Sequence, residues 1–99
     1  MPIPAEHEKD RKQKAKSATH SFHRDLLNDQ GYIDAINELY DNPQLRQKIK
    51  NTADDYLQDK GVNLPQGASV TLFDPNWSIE VCLGNSCVGY NSNTGFTVK

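Results

Sequence analysis

A chain of 99 residues with 35% hydrophobic and 24% charged positions supplies one modest core and not two. No apolar run approaches the ~20 residues of a membrane span, and the first residues are too polar for a secretory signal, so a cytoplasmic protein without membrane association is expected. The formal charge of −2 conceals an asymmetry, because residues 1–24 carry six cations (Lys9, Arg11, Lys12, Lys14, Lys16, Arg24) against three acids (Glu6, Glu8, Asp10) and the remainder is acidic.

Acids interleave with bases in that first segment and no aromatic residue lies among Lys9 to Lys16 for base stacking. A solvated helix face is therefore expected, and no nucleic-acid partner. From Ala5 to Asn28 helix formers dominate, but apolar residues are sparse until Ala15, Ala18, Phe22 and Leu26 fall three and four apart. The pattern predicts one frayed helix whose first two turns have nothing to pack, so residues 1–21 read as a basic, poorly packed extension. Asn28, Asp29, Gln30 and Gly31 form a stop, with Gly31 free to take positive φ.

From Tyr32 to Tyr40, the side chains of Ile33, Ile36, Leu39 and Tyr40 share one face of a second helix. Asn42 is then a good N-cap, and Pro43 belongs at a first helical position. They open a third helix in which Leu45, Ile49, Ala53 and Leu57 are spaced by fours, with Tyr56 beside them and Gly61 just past Lys60 as a C-terminal cap. Val62 to Gly67 is a connector punctuated by Pro65, Val70 to Phe73 is a strand, and Asp74-Pro75-Asn76 is a turn.

Trp77, Ile79, Val81 and Leu83 alternate with Ser78, Glu80 and Cys82 as in a half-buried strand. With Gly84 and Asn85 as a two-residue loop, Leu83 opposes Ser86 and Cys82 opposes Cys87, which sets two sulfurs side by side at a non-hydrogen-bonded pair. A disulfide is feasible there; closing so short a loop adds little stability, and cytosolic reductant is expected to open it. Asn91 to Gly95 reads as a loop-like polar run, followed by the short segment Phe96 to Val98. The expected fold is α+β: two to three N-terminal helices followed by a small antiparallel β-hairpin or meander.

Chemistry is scarce. His7, His20 and His23 lie in the first helical segment with no thiol or carboxylate placed to complete a tetrahedral site, and they read as surface residues. Asp25, Asp29, Asp54 and Asp55 read as solvated helix charges. There is no nucleophile motif, phosphate-cradling loop or C-x-x-C pair, so neither catalysis nor a cofactor is expected. The unusual segment is Val81 to Tyr90, where small and polar residues crowd around two cysteines.

In order along the chain, Asn42-Pro43-Gln44-Leu45-Arg46, Ile49, Gly61-Val62-Asn63-Leu64-Pro65-Gln66-Gly67, Val70-Thr71-Leu72 and Ser78-Ile79-Glu80-Val81 resemble the N-terminal region of the nitrile hydratase α subunit and of nitrile-hydratase-like leader peptides. Val81-Cys82-Leu83-Gly84-Asn85-Ser86-Cys87 is similar to the hydratase metal motif V-C-x-L-C-S-C, with Asn85 in place of the middle cysteine and Gly84 in place of the leucine. The leader resemblance implies a precursor peptide with a leader-like α+β domain over 22–83 and a short flexible or strand-like tail over 84–99 as its core peptide. A tailoring enzyme would recognise it through Leu45, Ile49, Leu57, Leu64, Pro65, Val70 and Leu72. That enzyme would modify Cys82, Ser86, Cys87, Ser92 and Thr94, and a peptidase-transporter would export the product. The hydratase resemblance implies instead a small metal or redox protein with cobalt or iron at Cys82 and Cys87. The basic helix leaves a third reading, a non-catalytic interaction or regulatory module.

Overall fold

A computed structural model describes residues 3–73 and 77–99. Helices α1 (Ala5–Ser17), α2 (Ser21–Leu27), α3 (Gln30–Tyr40), α4 (Pro43–Ile49) and α5 (Ala53–Asp59) precede strands β1 (Ser69–Phe73), β2 (Ser78–Leu83), β3 (Ser86–Asn91) and β4 (Gly95–Val98). The α+β architecture is the expected one, but five helices stand where two to three were expected, because two of the expected helices break. None of the described helices is long and apolar enough to cross a membrane. The turn expected at Asp74-Pro75-Asn76 lies outside the described residues.

The first break falls at 18–20. Ala18 turns extended, and His20 caps α2, its Nδ1 accepting from the Phe22 N–H at 3.2 Å. The change of direction brings Phe22, Leu26 and Leu27 onto the core. The second break falls within the expected third helix, where the Thr52 N–H returns to the Ile49 carbonyl at 2.9 Å and Thr52 leaves helical space at φ −133°. Asn51 and Thr52 are both weak helix formers, so little is lost by leaving the helix there. Leu45 is partly buried against the core and Ile49, Ala53 and Leu57 are buried within it, so the spacing by four holds through the break and conceals it.

Gly31 is no helix stop. Asp29 is the N-cap of α3, its Oδ1 accepting from the N–H groups of Gly31 and Tyr32 at 2.9 and 3.3 Å, and Gly31 sits in the first turn. A Cβ there would come within 2.4 Å of the Lys60 carbonyl oxygen, so glycine serves the close approach of α3 to the residue that ends α5.

The largest correction concerns α1, which is docked and not a poorly packed extension. Ile3 and Ala15 are buried, and Arg11 is only 8% exposed. The Arg11 guanidinium donates to the Leu27 carbonyl at 2.6 Å and pairs with Glu8 at 2.9 Å. Lys14 Nζ bridges Asp10 at 2.6 Å and the Phe96 carbonyl at 2.8 Å. The inward face of α1 is made mainly of long polar side chains satisfied by partners from α2 and β4, and an apolar periodicity cannot register such a face.

The strands form an antiparallel meander in the order β1-β2-β3-β4. Its register lines up two apolar rows, Val70-Val81-Val88-Val98 and Leu72-Ile79-Tyr90-Phe96. These rows face the helices, since α1, α2 and α5 reach the sheet and the rows carry its buried residues. The alternate rows, Ser69-Cys82-Cys87 and Thr71-Glu80-Gly89-Thr97, face away. Residues 84–99, expected as a flexible or strand-like tail, take the strand-like form and supply Val88, Tyr90 and Phe96 to the core. At one end of the sheet the Arg46 guanidinium stacks 5.1 Å over the Trp77 ring and donates to the Leu39 carbonyl at 2.6 Å, tying α4 to the start of β2.

Candidate functional site

The β2–β3 hairpin turns on Gly84 at φ 62°, with Asn85 at negative φ, the pattern of a type II′ turn with glycine at its first central position. That turn fixes the register expected from the sequence, Leu83 opposite Ser86 and Cys82 opposite Cys87. The Cys87 N–H and carbonyl both bond to Lys99, at 3.3 and 2.9 Å, which leaves Cys82 and Cys87 as a non-hydrogen-bonded pair with Cα atoms 4.1 Å apart. Their sulfurs are joined as a disulfide, half-buried, on the outward face of the sheet.

Alternation puts Glu80 on the same face two residues before Cys82. Its Oε1 lies 3.5 Å from Cys82 Sγ and its Oε2 lies 3.4 Å from Lys99 Nζ. A disulfide sulfur carries no proton, so the first contact is not a hydrogen bond while the bond is closed. Once it opens, the Cys82 S–H has an acceptor in place, and the carboxylate charge disfavours a thiolate at Cys82 more than at Cys87. Opposite Glu80 stands Gly89, and a groove of about 310 Å³ runs over it between Phe73, Thr97 and Lys99. Phe73, 51% exposed, is the one large hydrophobic side chain left open among the described residues.

One carboxylate oxygen of Glu80 and the two sulfurs lie within 4.8 Å of one another. Joined to each other, the sulfurs are not thiolates, and Asn85 leaves the set without a third sulfur. The cobalt or iron implied by the hydratase resemblance does not fit these residues.

The other expected site residues are scattered. Ser86 opens β3 beside the disulfide, whereas Ser92 and Thr94 lie in the β3–β4 turn, with the Ser92 N–H bonded to the Trp77 carbonyl at 3.0 Å. The length of β3, about 17 Å from Cys87 to Ser92, separates the two groups. Of the expected recognition residues, Ile49, Leu57 and Leu72 are buried in the core, Leu45, Leu64 and Val70 are packed against it, and Pro65 is exposed.

Of the three histidines expected at the surface, His7 and His23 are half-buried, while His20 is exposed and caps α2. His7 Nδ1 meets the Tyr90 hydroxyl at 2.8 Å. His23 is half-buried, its Nε2 lacks a hydrogen-bond partner, and its ring centroid lies 4.8 Å from that of His20. Burial and then the His20 charge lower the His23 pKa below its ordinary 6.5. Tyr32, fully buried with an unpartnered hydroxyl, is pushed far above the ordinary phenol range by burial and then by the Glu80 charge.

Glu80 is the site residue that the sequence reading passed over. The signal was present, since a carboxylate two residues before a cysteine in a strand must share its face. In comparisons with known protein families, with curated proteins and with solved structures, the chain matches none.

Proposed function

We propose that this chain is a non-catalytic recognition domain whose working element is the β2–β3 hairpin, with Cys82–Cys87 exchanging its disulfide with a partner protein that carries a dithiol. One observation carries this reading: the disulfide sits on the helix-free face in a hairpin whose register is already set by the Gly84-Asn85 turn and by flanking strands on both sides. Closing a loop of this size restrains the unfolded chain by about 2 kcal/mol, against about 3 kcal/mol for a fifteen-residue loop, so the bond can open while the fold stays closed. In the exchange a partner thiolate attacks one sulfur, the S–S bond breaks and the other sulfur leaves as a thiolate. The partner's second thiol resolves the mixed disulfide, so the partner dithiol is oxidised as Cys82 and Cys87 are reduced.

The test is reduction with a phosphine followed by amide NMR and hydrogen exchange on the full chain. Shift changes confined to the hairpin and Lys99, reversed by an oxidised dithiol, are expected. Loss of protection at Val81 and Val88 would assign the bond a structural role and overturn the reading.

A second reading, the precursor peptide, is favoured by the continuity of α4, α5, β1 and β2 over the leader-like stretch. There α5 packs on β1, and β1 lies at the sheet edge, open to strand addition. In this reading a tailoring enzyme finds Ser92 and Thr94 in the β3–β4 turn, and must open the sheet to act on the strands that flank it, because Val88, Tyr90 and Phe96 are core residues. Intact mass of the chain from its native host separates the two: loss of water or methyl addition mapping after Val81 supports the precursor, and an unmodified chain removes it.

A further inference from the structure

Apart from the exposed Glu6 in the first turn, the charged side chains of α1 fall into two sets. Glu8 and Asp10 are taken up by Arg11 and Lys14, the cations that reach inward to the Leu27 and Phe96 carbonyls. Lys9, Lys12 and Lys16, at i, i+3 and i+7, remain on the opposite, exposed face, and α2 brings Arg24 alongside them. Among the described residues no ion pair includes any of these four cations. Two open depressions of about 450 and 460 Å³ share Lys12 and Lys16; one extends to Lys9 and the other to Arg24. Lys12 and Lys16, one turn apart with like charge, are unfavourable for the helix on its own, and opposite charge brought from outside relieves them.

We infer that this face of α1, with Arg24, is a docking surface for an acidic α-helical segment of a partner protein. The three lysines rise over about 10 Å of helix axis, the same rise that acids at i, i+3 or i+4, and i+7 have on a facing helix. Lysine ammoniums act as point charges that accept carboxylates in many orientations, which suits side chains entering open depressions. A nucleic-acid backbone fits less well. Residues 25–99 hold five cations against ten acids, a net charge of −5 that repels a polyanion running past the patch, and no aromatic side chain lines either depression. A lipid surface fits less well too, since the face carries Lys9, Lys12, Gln13 and Lys16 with no large apolar side chain to insert.

The experiment uses the full chain and a dye-labelled helix-forming peptide bearing glutamates at i, i+4 and i+7, beside the same peptide with glutamines. Fluorescence anisotropy is read at about 25 and about 150 mM salt. Saturable binding of the glutamate peptide is expected, weaker by tenfold or more at the higher salt and in the K12E/K16E variant. Lys50→Glu, an exposed change at the C-terminal cap of α4, leaves it within twofold, and circular dichroism checks that each variant keeps its helices. Equal binding of the glutamine peptide, or undiminished binding by K12E/K16E, overturns the inference. So does tighter binding of a mixed-sequence DNA duplex or of phosphatidylserine vesicles than of the peptide at the same salt.

Discussion

His7 Nδ1 and the Tyr90 hydroxyl lie 2.8 Å apart across 83 residues of sequence, joining the first turn of α1 to the middle of the sheet. Burial, followed by the effect of Tyr40, pushes the Tyr90 phenol well above its ordinary range, so it remains a protonated hydroxyl under all physiological conditions. Tyr90→Phe removes one partner and is expected to cost about 1 kcal/mol. Hydrogen exchange should then accelerate across α1 more than across α3. In the parent chain the amides of Ala5–Ser17 should be protected, and exchange there at unfolded-chain rates would refute the docking of α1.

Gly31→Ala tests the contact between α3 and the end of α5. Alanine is the better helix former by about 1 kcal/mol, and on an exposed helix the change would stabilise. Here the new methyl meets the Lys60 carbonyl at 2.4 Å, and backbone must move. A net loss of about 1 to 3 kcal/mol in urea denaturation is expected. A stabilised variant would show that the two helices are not held so close.

Acid should weaken the fold in two stages. The His23 pKa is lower folded than unfolded, so its contribution is complete above about pH 6.5 and is lost as pH falls through the depressed folded value. Glu38, held below the usual carboxylate range by Lys60 and then by Tyr56, contributes above its unfolded value of 4.5 and loses that contribution at lower pH. Urea midpoints measured from pH 8 to pH 3 should fall first through the histidine range and again through the carboxylate range. In His23→Gln the first fall should vanish while the second remains.

Glu80→Gln should change the direction of disulfide opening. With the carboxylate 3.5 Å from Cys82 Sγ, the better leaving thiolate is Cys87, and an incoming thiol attaches to Cys82. Rapid alkylation of the mixed disulfide with a small thiol, followed by peptide mapping, should find Cys87 preferentially alkylated in the parent chain. The preference should shrink severalfold in E80Q. An unchanged ratio would mean that Glu80 does not govern the exchange.

The hairpin was legible because everything that sets it is local: strict alternation from Trp77 to Leu83, a two-residue turn, and a register that follows from counting. The helix breaks at Thr19 and Thr52 were not, because the apolar spacing is preserved across them and tertiary packing selects the bend. The docking of α1 was hidden for a different reason. Arg11 and Lys14 read as solvent charges until Leu27 and Phe96, 16 and 82 residues away, present their carbonyl oxygens. At the site, the pairing of Cys82 with Cys87 was legible from register, while the use of Ile49, Leu57 and Leu72 as core and not as a contact surface depended on the sheet that covers them.

The bond from Lys14 to the Phe96 carbonyl spans 82 residues, and it imposes an order on events during synthesis. At roughly 5 to 20 residues per second, α1 leaves the ribosome about 4 to 16 s before the strand that receives it exists. The meander, whose pairings are all between neighbours in sequence, can form as each strand emerges. Throughout that interval α1 can lean on α2 through Arg11 and the Leu27 carbonyl but lacks its seat on β4, and a chaperone that binds its inward face then competes with the completion of the fold.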